Sequence, residues 1–255
     1  MVRLPRRLEH GEEAELAEHL DELRGRLLVM MGAVVFWTVV AYIFHDHVLD
    51  WLNRPLPPHE KLVTLGVAEP FTTTITVCVY AGLVAALPII LWQLWSFFAP
   101  AIEARFERKI LVLVACSVLL GAAGVVFGYV ILLPRAIHFL TSYDQAHFRN
   151  FVQAKPYYNF VVTVLVGIVV IFQTPLVILG LVAMGALSSR TLRKQRRLGY
   201  LITAAIALAL PGPDLVTTFL ELIPMWLLFE GSIWLAVFYE RRRRKLSASS
   251  ATLGA

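Results

Sequence analysis

The chain has 255 residues, of which 58% are hydrophobic and only 16% are charged, and its mean hydropathy is +0.69. Water-soluble domains carry about 45–50% apolar and about 25% charged residues, so this composition excludes that class and predicts a polytopic, all-α membrane protein. The net charge of +5 comes from basic residues that flank apolar segments. It therefore indicates membrane topology and gives no reason to expect nucleic-acid binding.

An acid-rich segment precedes the first apolar run. Residues 8 to 27 contain seven of the 18 acidic residues, and leucines recur there at helical spacing, at Leu16, Leu20, Leu23 and Leu27. This pattern predicts an amphipathic helix at the membrane interface with a cluster of carboxylates on its polar face. A solvated helix whose acids are offset by neighbouring arginines explains the same pattern.

Six apolar segments follow, at residues 27–44, 72–98, 110–133, 160–184, 198–210 and 215–239. Four of them reach the roughly 20 residues that a helix needs to cross a hydrocarbon core of ~30 Å. The fifth has 13 residues. At about 1.5 Å per residue it covers only about 20 Å, so we expect a short helix there.

The distribution of Lys and Arg predicts the orientation. Five precede the first segment, three lie between the second and third, five between the fourth and fifth, and five in the tail, which makes 18 of the 23. By the positive-inside rule both termini are cytoplasmic. We predict a cytoplasmic segment (1–26), a single six-helix bundle (27–239) with two outward-facing caps (45–71 and 134–158), and a basic cytoplasmic tail (240–255).

Polar residues inside the apolar segments are candidates for function, because a charge at mid-membrane costs at least ~3 kcal/mol. Gln173 lies within the fourth segment and is followed by Pro175, which frees a backbone carbonyl one turn earlier. Glu230 lies deep in the sixth segment and needs a partner from elsewhere. Glu221 is interpreted as reaching the interface, and Asp214 as a turn residue.

The sequence offers little for catalysis or metal binding. Cys78 and Cys116 fall inside apolar runs, and no HExxH, Walker or GxSxG pattern occurs. We therefore expect no enzyme activity, no cofactor and no metal site.

Seven motifs in order resemble those of the TatC family, the multispanning subunit of the twin-arginine protein translocase. They are HLDELRGRLL at 19–28, NRPL at 53–56, AEPF at 68–71, LPIILWQLWSFFAPAI at 87–102, FQTP at 172–175, PGPD at 211–214 and IPMWLLFEG at 223–231. The resemblance runs from about residue 15 to residue 239. It implies structural motif positions at Pro55, Pro70, Phe71, Pro100, Asp214 and Pro224.

The resemblance implies a receptor and assembly core in a bacterial plasma membrane. Such a protein binds twin-arginine signal peptides of folded cargo at its cytoplasmic face, recruits single-span partners of the TatA and TatB type, self-associates within the complex, and supports export driven by the proton-motive force. The match puts the recognition acid at Glu22, with Arg24 in the same motif. Gln173, Pro175 and Glu230 then form an intramembrane groove for the apolar part of the peptide or for a partner helix.

The second recognition acid departs from the family pattern. The family has Glu six residues after the proline of its FxAP motif, whereas this chain has Phe106 there, between Glu103 and Glu107. We favour Glu107, because basic residues follow it as they follow the family's Glu, and Glu103 stays open. Position 173 is Gln where many family members carry Glu, so a hydrogen-bonding role is expected there in place of a charge.

Recognition of paired arginines by carboxylates agrees with their chemistry. A carboxylate matches a planar guanidinium with two parallel hydrogen bonds, which Lys cannot reproduce. Exposed ion pairs contribute only about 0 to 1 kcal/mol each, so we expect partial shielding of these acids. Two other classes stay open: a proton-coupled carrier that uses Glu230, for which inverted repeats are not evident, and an intramembrane enzyme, for which no catalytic constellation is present.

Overall fold

A computed structural model describes residues 16–57, 62–98, 110–142, 151–209 and 215–253. The described residues are helical apart from short connections and one isolated β bridge. The chain divides into two compact units, Met1–Val169 and Val170–Ala255. The single-bundle arrangement of all six segments stays a prediction.

The described residues of both units lie mostly in helices. The first contains α1 (Leu16–Ile43), α2 (His45–Asn53), α3 (Glu69–Phe98), α4 (Ile110–Phe127), α5 (Leu133–Ser142) and most of α6 (Ala154–Phe172). The second contains α7 (Thr174–Ala183), α8 (Ser189–Lys194), α9 (Arg196–Ala209) and α10 (Leu215–Leu253).

Five helical stretches of the described chain are long and apolar enough to cross a membrane: Leu20–Ile43, Glu69–Phe97, Leu111–Ser142, Ala154–Ala183 and Thr218–Arg242. Large side chains on them face outward, with Phe36 61% and Trp234 70% exposed, as expected for surfaces in contact with lipid. The remaining segment, α9, has 14 residues and is as short as the sequence predicts. The prediction of an all-α polytopic membrane protein is confirmed.

The predicted interfacial helix over residues 8–27 is not separate in the described region. From Leu16 onward the acidic segment and the first apolar segment form one continuous helix, α1. No proline interrupts residues 16–43, and Gly25 alone is not enough to end a helix. Residues 8–15 of the predicted helix lie outside the described residues.

Helix α2, which follows α1 directly after Phe44, is amphipathic. Its Leu52 is buried while Asp46 and Asp50 are exposed, so one face packs inward and the other meets solvent. The helix ends at Asn53, and Pro55 has no N–H with which to donate the next helical hydrogen bond.

Helices α1 and α3 cross at a very short distance. A Cβ atom added at Gly82 of α3 would lie 2.6 Å from the backbone N and 2.8 Å from the Cα of Thr38 in α1. Only glycine permits this approach, which is typical of packing between membrane helices.

The third apolar segment extends beyond its predicted end at Leu133. A π-helical turn at Gly128–Leu132 joins α4 to α5, and the N–H of Leu133 donates to the carbonyl of Gly128. Pro134 has no N–H and its ring would clash with the carbonyl four residues earlier in a regular helix. The wider turn accommodates the proline, and the helix continues to Ser142.

The two segments of the first unit that are predicted to be outer loops are joined to each other. The N–H of Val63 donates to the carbonyl of Val152 at 2.9 Å, and the N–H of Ala154 donates to the carbonyl of Val63 at 2.9 Å. The side chains of Tyr157 and Tyr158, at the start of α6, donate at 2.8 Å to the carbonyl of Leu52 and to Oδ1 of Asn53. These bonds attach the second outer loop to the end of α2.

In the second unit, α7 and α10 pack through Ile178, Phe229 and Ile233. The aromatic ring of Phe229 lies against Gly199 of α9, where an added Cβ would collide with the ring. The turn after α7 needs Gly185, whose φ is +79°. The start of α8 is held by the carboxylate of Glu240, which accepts hydrogen bonds from the N–H and hydroxyl of Ser189, both at 2.7 Å.

Candidate functional site

The acidic motif before the first span places Glu22 in a partly buried ion pair. The side chain of Glu22 is 12% exposed and that of Arg26, one turn later on α1, is 17% exposed. Nε and Nη2 of Arg26 donate to Oε1 of Glu22 at 2.9 and 2.5 Å. A carboxylate at this position of the fold therefore already binds a guanidinium, with two nitrogens and partial shielding from water.

The same guanidinium connects α1 to the end of α3. Nη1 of Arg26 donates to Oε1 of Gln93 at 3.2 Å and approaches the Gln93 carbonyl oxygen at 3.5 Å. Gln93 lies five residues before the end of α3, directly upstream of the loop that contains the other predicted recognition acids. Glu22 is thereby connected, through Arg26, to the last two turns of α3.

Of the remaining predicted residues of this site, only Arg24 lies within the described chain. Arg24 lies on α1 and its side chain is exposed. Glu103, Glu107 and Pro100 lie outside the described residues, as does Asp214. The choice between Glu103 and Glu107 therefore stays a prediction.

Sequence reasoning missed Arg26 and Gln93 as partners of Glu22. The Glu–Arg spacing of four residues, with the acid first, was a usable signal for a helical ion pair. Gln93 gave none, because its contact with Arg26 spans 67 positions of the sequence.

Gln173 stands at the break between α6 and α7. Its side chain is buried, and the chain turns there because Pro175 occupies the first turn of α7. The Gln173 carbonyl accepts from the N–H groups of Leu176 and Val177 at 3.0 Å, so the backbone at the break is satisfied locally.

Glu230 has the partners that its own segment lacks. Its Oε2 lies 3.3 Å from Nη2 of Arg196, and the hydroxyl of Tyr200 donates to its Oε1. Both partners lie on α9, one turn apart, and the Tyr200 ring also contacts the rings of Trp226 and Phe229 edge-on. The spacing of Arg196 and Tyr200 places both on one face of α9, but it does not indicate that Glu230 is their partner.

The burial of Glu221 differs from the expectation that this residue reaches the membrane interface. Its exposed fraction is 2%, against 28% for the side chain of Glu230. The two acids lie nine residues apart on opposite faces of α10, and the inward face is the one that carries Glu221.

A cavity of about 250 Å³ lies in the second unit. Thr174, Gly199 and Phe229 contribute to its wall, whereas Gln173 and Glu230 do not. Within the described ranges, no group of three or more His, Cys, Asp or Glu side chains is arranged to hold a metal ion.

The predicted structural motif positions in the outer loops have clear local roles. Pro55 follows the end of α2, and Pro70 lies in the first turn of α3, where a missing N–H costs nothing. Glu69, beside them, accepts from the N–H groups of Leu65 at 2.8 Å, Gly66 at 3.1 Å and Lys155 at 3.3 Å. The side chain of Phe71 is exposed, and Pro224 lies inside α10.

Comparison with known proteins gives one consistent family. A family model described as Sec-independent protein translocase protein (TatC) matches residues 18–224. Similar proteins include TatCd of Bacillus subtilis, 34% identical over 94% of this chain and 99% of that protein, and TatC of Escherichia coli, 31% identical over 90% of each.

One solved structure is also similar to this chain. It is described as the crystal structure of the twin-arginine translocase receptor TatC, and it is 31% identical with a TM-score of 0.76. The match covers 86% of this chain and 98% of that one.

Proposed function

This chain belongs to the TatC family of Sec-independent protein translocase proteins, and from that membership we propose that it is the core signal receptor of a twin-arginine translocase. The family consists of translocase proteins and not of enzymes, so this is a multi-pass membrane protein of protein transport. The proposed receptor binds twin-arginine signal peptides of folded proteins at the cytoplasmic face of a bacterial plasma membrane, with both of its own termini on that side.

The observation that carries the proposal is the ion pair of Glu22. A half-buried carboxylate that holds the Arg26 guanidinium through two nitrogens, at 2.5 and 2.9 Å, has the environment that recognition of a further arginine requires. Ion pairs shielded from water are screened less by salt than exposed ones. The proposed second acid, Glu107 or alternatively Glu103, lies in the loop that follows Gln93 and α3.

The apolar part of the signal peptide supplies the rest of the affinity in this proposal. Burial of apolar surface contributes about 25 cal/mol per Å², which exceeds the contribution of two arginines once a long apolar stretch is covered. The groove with Gln173, Pro175 and Glu230 is the proposed docking place for that stretch or for a TatA- or TatB-type helix. Self-association and coupling to the proton-motive force complete the proposed assembly role.

Crosslinking of a twin-arginine precursor in membranes tests the recognition site. We expect the double variant Glu22→Ala, Glu107→Ala to lose most of the crosslinked product. The matched control is Asp21→Ala, because Asp21 is an exposed acid beside Glu22. Undiminished crosslinking in the double variant, or an equal loss with Asp21→Ala, would contradict the assignment.

A change in the precursor tests the chemistry of recognition separately. Replacing both precursor arginines by lysine keeps the charge but removes the planar pair of donors, so we expect weaker binding. A precursor with a single lysine elsewhere in its signal peptide replaced by arginine is the control. Equal binding of the arginine and lysine precursors would argue against recognition through paired hydrogen bonds.

A further inference from the structure

A cavity of about 590 Å³ opens in the first unit and takes no part in the proposed recognition of signal peptides. Helices α2, α3, α4 and α6 all contribute to its wall, with Trp51, Val84, Val125 and Val162 among the lining residues. Its volume lies within the range of about 300 to 1,000 Å³ that is typical of ligand sites.

The two ends of this cavity differ in polarity. One end is formed by residues of α2, His47 among them, and by Arg54, which directly follows the helix. On α3 the lining runs from Val77 to Ala85, which lie 8 to 16 residues past the start of the helix at Glu69. At about 1.5 Å per residue this wall lies roughly 12 to 24 Å along the span. The cavity therefore extends from a basic end near the membrane surface to an apolar end at hydrocarbon depth.

The charge at the polar end is positive. The guanidinium of Arg54 is exposed and makes no ion pair with any residue that the structure describes. The acids of α2, Asp46 and Asp50, are exposed and do not line the cavity. An anionic group at this end would thus meet Arg54 without an acid of the lining opposing it.

Ring stacking and hydrogen bonds hold the wall of the cavity at this end. The ring of Trp51 stacks on that of Tyr129 with centroids 3.9 Å apart and an angle of 7° between planes. The Tyr129 hydroxyl donates to the Trp51 carbonyl at 2.6 Å, and the Tyr157 hydroxyl donates to the carbonyl of Leu52 at 2.8 Å. A site that is formed before its ligand arrives loses less entropy on binding.

We propose that this cavity binds an acyl chain of an anionic glycerophospholipid whose phosphate group contacts Arg54. A phospholipid has the same order of polarity as the cavity, an anionic head followed by an apolar chain. The lining offers Arg54 to the anionic head and valine and alanine side chains to the apolar chain.

Native mass spectrometry of the delipidated full-length protein tests the proposal. Phosphatidylglycerol and phosphatidylcholine with identical acyl chains are titrated in parallel. We expect phosphatidylglycerol to bind about fivefold more tightly, the factor expected for one basic residue near an anionic head group. Arg54→Gln should remove that preference. Arg135→Gln, which changes an exposed arginine of α5 that does not line the cavity, should keep it.

A second variant tests the apolar part of the site. Ala85 lines the cavity and its side chain is exposed, so Ala85→Trp fills the space with little effect on packing. We expect this variant to bind both lipids more weakly. Equal affinity of the two lipids for the unmodified protein, equal effects of Arg54→Gln and Arg135→Gln, or unchanged binding in Ala85→Trp would each overturn the proposal.

The position of the bound chain is tested with phosphatidylglycerol that carries a photoreactive group in its acyl chain. Crosslinks concentrated on the α3 and α6 walls of the cavity are expected. A distribution spread evenly over exposed helix faces such as that of Phe36 in α1 would contradict a defined site. Displacement of the lipid by a twin-arginine signal peptide would assign the cavity to the peptide instead.

Discussion

At the scale of single residues, Glu22 has two possible roles that the structure allows to be separated. It holds Arg26, and through Arg26 it is linked to Gln93 on α3. Loss of Glu22 therefore removes a proposed recognition group and also leaves a partly buried guanidinium without its counter-ion. A single substitution cannot distinguish recognition from local structure, whereas a pair of substitutions can.

We expect Glu22→Gln to lower precursor binding at least tenfold and to reduce the unfolding midpoint in detergent by about 2 to 4 °C. Such a shift corresponds to about 1 kcal/mol in a chain of this size, and its cause is the uncompensated charge of Arg26. The double variant Glu22→Gln, Arg26→Gln should regain the stability but not the binding. If binding returned together with stability, Glu22 would be a structural residue only.

At the scale of elements, the crossing of α1 and α3 depends on the absence of a side chain at Gly82. We expect Gly82→Ala to destabilise the protein by about 1 to 3 kcal/mol, because the new methyl group would meet the backbone N and Cα of Thr38 as well as its hydroxyl oxygen. The midpoint of thermal unfolding measures this.

Gly32 provides the matched control for that substitution. It lies on α1, and a Cβ added there has no neighbour within 4 Å. Gly32→Ala should be neutral or slightly stabilising, since alanine is the better helix former. Equal destabilisation by both substitutions would show that the cause is not the crossing.

The junction of the outer loops depends on Glu69. One of its oxygens accepts from the N–H groups of Leu65 and Gly66, and the other accepts from that of Lys155. A glutamine has only one acceptor oxygen. In Glu69→Gln this oxygen cannot accept from the N–H groups of Leu65 and Gly66 and also from that of Lys155. We expect faster hydrogen exchange at Lys155 or at Leu65 and Gly66.

The exposed acid Asp46 serves as the control in that measurement, since its side chain is 84% exposed and lies on α2. Asp46→Asn should leave exchange at these amides unchanged. Unchanged exchange in Glu69→Gln would mean that the β bridge at Val63 joins the two loops without the carboxylate.

At the scale of the whole molecule, the distribution of basic residues predicts the orientation in the membrane. Single cysteines introduced into a variant without Cys78 and Cys116 test this orientation. Val67→Cys lies in the first predicted outer loop, and Lys194→Cys lies at the end of α8. Both positions are exposed. We expect a membrane-impermeant maleimide added to intact cells to label Val67→Cys and not Lys194→Cys.

Permeabilised cells provide the control, because both cysteines should then react. The reverse pattern in intact cells would place the termini on the outer side. Labelling of both positions in intact cells would contradict a membrane crossing between them.

The sequence by itself determined the class of the protein and the number and length of its apolar segments. Long uninterrupted apolar runs form helices in a membrane, because every backbone N–H and C=O group there must be hydrogen-bonded within its own helix. The short α9 was visible for the same reason, since its length follows from a count of residues. The order of seven motifs also indicated the family that the comparisons show.

Only the tertiary structure decided which groups meet. Gln93 reaches Arg26 across 67 positions, and Tyr157 and Tyr158 reach α2 across 105. The pairing of Glu230 with Arg196 and Tyr200, the burial of Glu221, and the helix that continues through Pro134 likewise depend on neighbouring helices. Periodicity specifies which face of a helix is apolar, but not which other helix covers it, because that choice rests on packing between distant parts of the chain.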